Sequence, residues 1–398
     1  MVQLDPARTQ EPLLETALLA RLRTPLEVDD DVRGTIALDI TDGDSWSLEV
    51  DGPKLKLSPG VAKEADTTIS CDAATMIAVL NGDISGIDAF VEGKLNVRGN
   101  LALSMRLSGS FAPGTRPPNF ARARTVSAGG LKTFLLEAGE GPPVILLHGL
   151  GATNASMLTT LSDLARDHHV IAPDLPGCGD SEKPIRTYDA PFFGRWLISL
   201  LDALQIERAH VVGNSLGGRV AIEGALLAPD RIDRLVLLAP SPAFIRRRNF
   251  VKLVKILRPE LAILPVSLIP RSRVAPSIKA MFSRPERLPD SWYDSAADEF
   301  LRVFKTARGR VAFFSAARHI YLEEPYGEGG FWDRLPALTR PALFVWGDRD
   351  RLVPAGFARH VVKALPNATS VVLEDCGHVP QYEHPERTHR LIRDFLEA

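Results

Sequence analysis

Between Gly34 and Val97 apolar and polar residues alternate along five short runs: Ile36, Leu38 and Ile40; Trp46, Leu48 and Val50; Leu55 and Leu57; Ile69 and Cys71; Leu95 and Val97. A period of two puts one face of each strand in a core and the other in water. Asp42-Gly43 and Asp51-Gly52-Pro53 are short turn formers, so the first three strands are expected to run as an antiparallel meander. Between the fourth and fifth strands Asp72 can cap a helix carrying Met76, Ile77, Val79 and Leu80 and stopping at Gly82. A second short helix would hold Ile87, Phe90 and Val91, giving an α+β unit. Leu101, Leu103, Met105 and Leu107 alternate as a strand would, yet the Ala and Leu content of the segment suits a helix, and both readings stay open.

Pro113, Gly114, Pro117 and Pro118 then interrupt any ladder or helix, and residues 113–119 read as a linker between two domains, 1–112 and 120–398. Beyond it the apolar residues come in continuous runs: Val144 to Leu147, Val170 to Ala172, Val211 to Val212, Leu235 to Ala239, Ala342 to Trp346 and Val371 to Leu373. Such runs fit parallel strands covered on both faces. Amphipathic segments of helical length separate several of them, Phe193 to Leu204 and Leu216 to Leu227 among them, so a mostly parallel, doubly wound α/β sheet is expected. Residues 241–338 break the alternation without a clear strand and read as an inserted helical cap.

Composition narrows the function classes. The 398 residues favour two domains over one, and 45% apolar against 24% charged residues leaves ample material for a large core. Lys plus Arg (47) nearly balances Asp plus Glu (49), so the net charge of −2 offers no electrostatic case for a nucleic-acid partner. Cys71, Cys178 and Cys376 lie far apart, without the spacing of a disulfide framework or a zinc site. No basic region followed by an apolar core opens the chain, and no run approaches the roughly eighteen apolar residues of a membrane span, so a cytoplasmic protein is expected.

The candidate chemistry sits in the second half. Val211-Val212 leads into Gly213-Asn214-Ser215-Leu216-Gly217-Gly218 and then a helix. G-x-S-x-G between strand and helix permits a tight turn that lifts a serine hydroxyl above the sheet edge, and Ser215 is the candidate nucleophile. A serine hydroxyl needs a general base held in one tautomer by a carboxylate. Of nine histidines, His378 alone follows the last buried run, in Cys376-Gly377-His378. His168, His169 and His210 begin strands at the opposite edge, while His360, His384 and His389 lie in polar segments and are expected to be solvated. The carboxylate should follow the run Ala342 to Trp346, where Asp350 is favoured and Asp348 is the other candidate. An oxyanion would take the N–H of Leu216 and one from His148-Gly149-Leu150-Gly151, with Leu150 ahead of Gly151 and His148 buttressing the loop.

Together these motifs resemble the α/β-hydrolases, with Asp174-Leu175-Pro176-Gly177-Cys178-Gly179-Asp180-Ser181 and Gly347 to Pro354 also in family order. The resemblance implies an eight-stranded sheet with a lid after its sixth strand, and serine at the elbow sets the chain apart from epoxide hydrolases and haloalkane dehalogenases. Val212 to Ser215 and Trp346 to Pro354 are also similar to the meta-cleavage C–C hydrolases, but Val379 and Tyr382 stand where that group commonly has tryptophans. Gly34 to Phe111 resembles the sterol-carrier-protein family of lipid-transfer domains through Gly34-Thr35-Ile36, Ala65 to Ile69, and Gly93 to Gly99. That likeness implies an apolar tunnel for an acyl chain or sterol, and a helix over Leu101 to Leu107. In the cap, Arg246, Arg247, Arg248, Lys252, Lys255 and Arg258 interleave with apolar residues, a pattern that suits either an ordinary lid helix or contact with anionic lipid. The reading is a serine hydrolase of esters or thioesters of hydrophobic acids with a lipid-binding module. It takes a hydrophobic small molecule or lipid as substrate and requires no metal or organic cofactor. A C–C hydrolase and a non-catalytic lipid-transfer protein are the alternatives.

Overall fold

Arg33–Ile40 (β1), Trp46–Asp51 (β2) and Lys54–Pro59 (β3) form the expected meander, with Ile36 opposite Leu48 and Leu48 opposite Leu57. Thr67–Cys71 (β4) adds parallel to β1, and Asn96–Gly99 (β5) pairs antiparallel with β4, for a sheet order β3-β2-β1-β4-β5. The Asp72 side chain caps Ala73–Asn81 by accepting from Thr75 N, and Gly82 ends that helix in the left-handed region at φ 80°. Gly86–Val91 is the second helix. These coordinates are a computed structural model that describes residues 14–18, 32–111, 119–243 and 270–398. The interdomain linker around Pro113 to Pro118 and the basic stripe Arg246 to Arg258 lie outside the described residues.

Leu101–Phe111 is a helix. Gly99 turns the chain at φ 88°, Asn100 Oδ1 accepts from Leu103 N (3.2 Å), and the sequence from there runs on as a helix. Its alternation is uninformative because Leu101, Ala102, Leu103, Ser104 and Met105 are all buried, and a run buried at five successive positions carries no amphipathic stripe. Between this sheet and its helices lies an apolar cavity of about 740 Å³, mouth included, lined by Leu38, Leu48, Ile69, Met76, Val97 and Met105 among others.

The second half forms an eight-stranded sheet in the order β13-β12-β11-β10-β8-β9-β7-β6. Pro143–Leu147 (β8), Ala209–Asn214 (β10), Ile232–Leu238 (β11), Ala342–Gly347 (β12) and Thr369–Leu373 (β13) are parallel, so their C-terminal ends share one edge. His169–Pro173 (β9) continues that direction beside β8, whereas Arg122–Ala128 (β6) and Leu131–Ala138 (β7) make an antiparallel hairpin at the far side. The cap enters between β11 and β12, with described helices at Arg271–Lys279, Asp290–Phe304 and Ala307–Tyr321. Among the described residues no helix is long and apolar enough to cross a membrane.

The five-stranded sheet meets the cap directly. Ser295 Oγ, on the helix Asp290–Phe304, donates to Val97 O (2.6 Å), and Arg98 Nε donates to Asp298 Oδ2 (2.7 Å). Arg271 reaches the same helix at Asp294 (2.8 Å) and Asp298 (3.0 Å). The same helix turns Phe300, Val303 and Phe304 toward the catalytic half.

Candidate active site

Ser215 links β10 to the helix Leu216–Leu227 with φ 54° and ψ −114°, a conformation that costs a non-glycine residue on the order of 1–3 kcal/mol. Backbone bonds hold it there. Ser215 N donates to Leu238 O (2.9 Å), and Ser215 O accepts from Ser241 N (2.9 Å) and Arg219 N (3.2 Å). The flanking glycines are required by close approach: a Cβ on Gly217 would lie 2.1 Å from Leu147 O, and one on Gly213 would lie 2.4 Å from Gly217 C. Gly217→Ala is therefore expected to destabilise the fold by about 1–3 kcal/mol, as overpacking against backbone does, read as a lower urea midpoint.

The two candidate aspartates do different things. Asp350 follows β12, is buried, and accepts at Oδ1 from Leu352 N (2.7 Å) and Val353 N (2.8 Å), which aims Oδ2 at His378 Nδ1 (2.7 Å). Asp348 Oδ1 instead accepts from Cys376 N (3.1 Å) and ties the loop after β12 to the loop after β13. With Nδ1 donating to a carboxylate, His378 presents Nε2 as its acceptor. Asn214, next to Ser215, donates to His378 O (3.1 Å) and Leu238 O (3.0 Å), so the histidine loop is fastened to the serine turn.

Leu216 is the first residue of its helix, and its N–H belongs to the first turn, where no carbonyl four residues back serves as partner. Leu150 lies half-buried in the loop after β8, and the adjacent Gly149 packs so closely that its Cβ would stand 3.3 Å from Ser215 Cβ. His148 holds that loop, its Nε2 accepting from Leu175 N (2.9 Å) while Nδ1 lies 2.8 Å from Gly149 O. Burial pushes its pKa down to about 4, consistent with a neutral buttress. Leu150 and Leu216 border an apolar pocket of about 420 Å³ roofed by Phe300, Val303, Phe304 and Phe313 of the cap.

Burial pushes the Cys178 thiol up to about 12, and Cys376 is raised in the same way, so neither supplies a thiolate near neutrality. Among the described residues no cluster of His, Cys, Asp or Glu has the grouping of a metal site. One expectation needs correction: His389 is not solvated. It is buried with Nε2 3.2 Å from Thr160 Oγ1, because the terminal helix Pro385–Glu397 packs that face against the helix Leu158–Leu164.

Two residues beside Ser215 escaped the sequence reading. Ser241 Oγ lies 3.2 Å from Ser215 Oγ, and the Tyr321 phenol lies 3.3 Å from Ser241 Oγ. Ser241 directly follows the β11 run and Pro240, at the same edge as the other strand-end groups, and that position is a signal. Tyr321, at the end of a cap helix, had none.

Residues 142–385 match the family model for the alpha/beta hydrolase fold. The chain belongs to that family. Residues 18–112 of this hydrolase match the SCP-2 sterol transfer family, so the hydrolase fold is joined to a domain of that likeness. It is 28% identical over 298 residues to the 2-hydroxymuconate semialdehyde hydrolase of Pseudomonas sp. (strain CF600), covering 69% of this chain and 93% of that one. It is 30% identical over 267 residues to the dihydrolipoyllysine-residue acetyltransferase component of the acetoin cleaving system of Pseudomonas putida, 67% of this chain but only 66% of that relative's length. Among solved structures, a bacterial membrane phospholipase A aligns with a TM-score of 0.61 and 25% identity over 75% of this chain and 90% of that one.

Proposed function

We infer that this hydrolase cleaves carboxylic esters or thioesters of hydrophobic acids through an acyl-enzyme on Ser215, and that its first domain holds a hydrophobic ligand of the same kind. The observation that carries the reading is the strained Ser215 turn, whose loop is fastened to that of a His378–Asp350 pair, with Leu150 and Leu216 bordering a pocket with an apolar roof. Ser215 Oγ attacks the acyl carbon and gives its proton to His378 Nε2. The carbonyl electrons move onto oxygen, where the N–H groups of Leu150 and Leu216 receive the charge. Collapse expels the alcohol or thiol, protonated by His378, and water repeats the sequence to release the acid.

The relationship to a semialdehyde hydrolase favours C–C cleavage as the second reading. Against it, the described lining is apolar where a ring-cleavage product would bring several oxygens, and Tyr382 points away, its hydroxyl donating to Ala155 O (2.8 Å). The test compares kcat/KM for p-nitrophenyl esters of increasing acyl length and for a 2-hydroxy-6-oxo dienoate. Rising values with chain length are expected, and mass spectrometry of lipids co-purified with Ser215→Ala should find acyl lipids. A dienoate turned over better than every ester would replace this reading with the second.

A further inference from the structure

Two hydroxyls outside the nucleophile, base and carboxylate cluster beside Ser215. Ser241 is fully buried, its N–H is pinned to Ser215 O (2.9 Å), and its Oγ lies 3.2 Å from Ser215 Oγ. Tyr321, nine-tenths buried, brings its phenol 3.3 Å from Ser241 Oγ. The reading of Ser215 as nucleophile sets the direction of these bonds. If Ser215 O–H points to His378 Nε2, its lone pairs remain to accept, so Ser241 O–H donates to Ser215 Oγ and Tyr321 O–H donates to Ser241 Oγ. Burial pushes the phenol's pKa up against the opposing pull of the serine hydroxyls, so the phenol keeps its proton wherever a histidine base works.

We propose that Ser241, held by Tyr321, donates a hydrogen bond to Ser215 Oγ that is weakened in the acyl-enzyme and regained as the acyl-enzyme breaks down, and so speeds deacylation. The proposal rests on the reading of Ser215 as nucleophile. In the free enzyme Oγ is a hydroxyl and accepts this bond already, so acylation gains little from it. In the acyl-enzyme Oγ is an ester oxygen whose lone pair is shared with the carbonyl, which makes it a poor acceptor. Water then adds to the acyl carbon, losing a proton to His378 Nε2, and the conjugation ends. As the C–Oγ bond breaks, its electron pair settles on Oγ, which recovers a proton from His378, and the free acid leaves. The Ser241 bond becomes charge-assisted over this passage. Ser241 touches the reacting atom and is the catalytic residue, and Tyr321 holds Ser241 while its phenol also interacts with the Ser215 hydroxyl.

The test is burst kinetics of the full chain on a p-nitrophenyl ester. Ser241→Ala and Tyr321→Phe should each slow steady turnover about tenfold to a hundredfold, with the burst phase changed much less. The acyl adduct on Ser215 should accumulate in intact-mass spectra. Burst and steady phases slowed by one factor would overturn the proposal. Tyr321→Phe removes a single oxygen and keeps the test open should Ser241→Ala fold poorly. Fluorophosphonate labelling separates the two readings: no adduct on wild-type Ser215 removes the nucleophile itself, whereas labelling with unaltered partition between the phases removes only the role of Ser241.

Discussion

Ser215→Ala is expected to lower kcat on a p-nitrophenyl ester by roughly five to six powers of ten, with little change in melting temperature. The substitution removes one oxygen from a buried turn whose backbone bonds involve only main-chain atoms, so the elbow keeps its shape. Alanine tolerates the positive φ about as poorly as serine does, and the strain is common to both. What remains should be the modest rate supplied by the N–H donors and by binding, still some three to four powers of ten above water. His378→Ala should fall as far, and the double variant no further, because nucleophile and base act as a unit. A fluorophosphonate should add its mass to wild-type Ser215 and leave the alanine variant unmodified. Turnover by the alanine variant at the wild-type rate would sink the assignment.

Asp350→Asn should cost about four powers of ten in kcat, and Asp348→Asn about tenfold or less. An amide at 350 keeps an oxygen for Leu352 N and Val353 N, but it then turns an N–H₂ toward His378 Nδ1 and forces the proton onto the wrong ring nitrogen. An amide at 348 can still accept from Cys376 N and keep the two loops joined. Steady-state rates of the two variants decide the matter, and the reverse ranking would transfer the carboxylate role to Asp348.

Much of the fold was legible because strands buried on two faces and strands wet on one face leave different periods, as the runs after Val144 and the alternation before Val97 do. The strand-end loops were legible too, since parallel strands bring Ser215, Asp350, His378 and Leu150 to one edge whatever the details of packing. The helix Leu101–Phe111 was legible only through the family resemblance, because burial of five successive residues, Leu101 to Met105, leaves the apolar pattern open between strand and helix. His389 misled for a related reason: its neighbours Arg387 and Arg390 are polar and exposed, and it is the helix packed over it that makes the position interior. Tyr321 reaches Ser215 across a fold of the cap, and local sequence carries no trace of such a contact.

The bridge between the lipid-carrier sheet and the helix Asp290–Phe304 bears on how separable the two halves are. Asp294 and Asp298 sit one turn apart and share Arg98 from the first domain and Arg271 from the cap. Excising the first domain would strip half the positive charge from that pair of carboxylates and leave Ser295 only the carbonyl of Ser291 on its own helix. The opposite face of the same helix roofs the pocket beside Leu150 and Leu216. Modularity is therefore incomplete: a hydrolase cut free of its carrier inherits a roof built for company, and a foreign carrier grafted in its place would have to reproduce an arginine and a carbonyl at the same two positions before it could count as a neutral exchange.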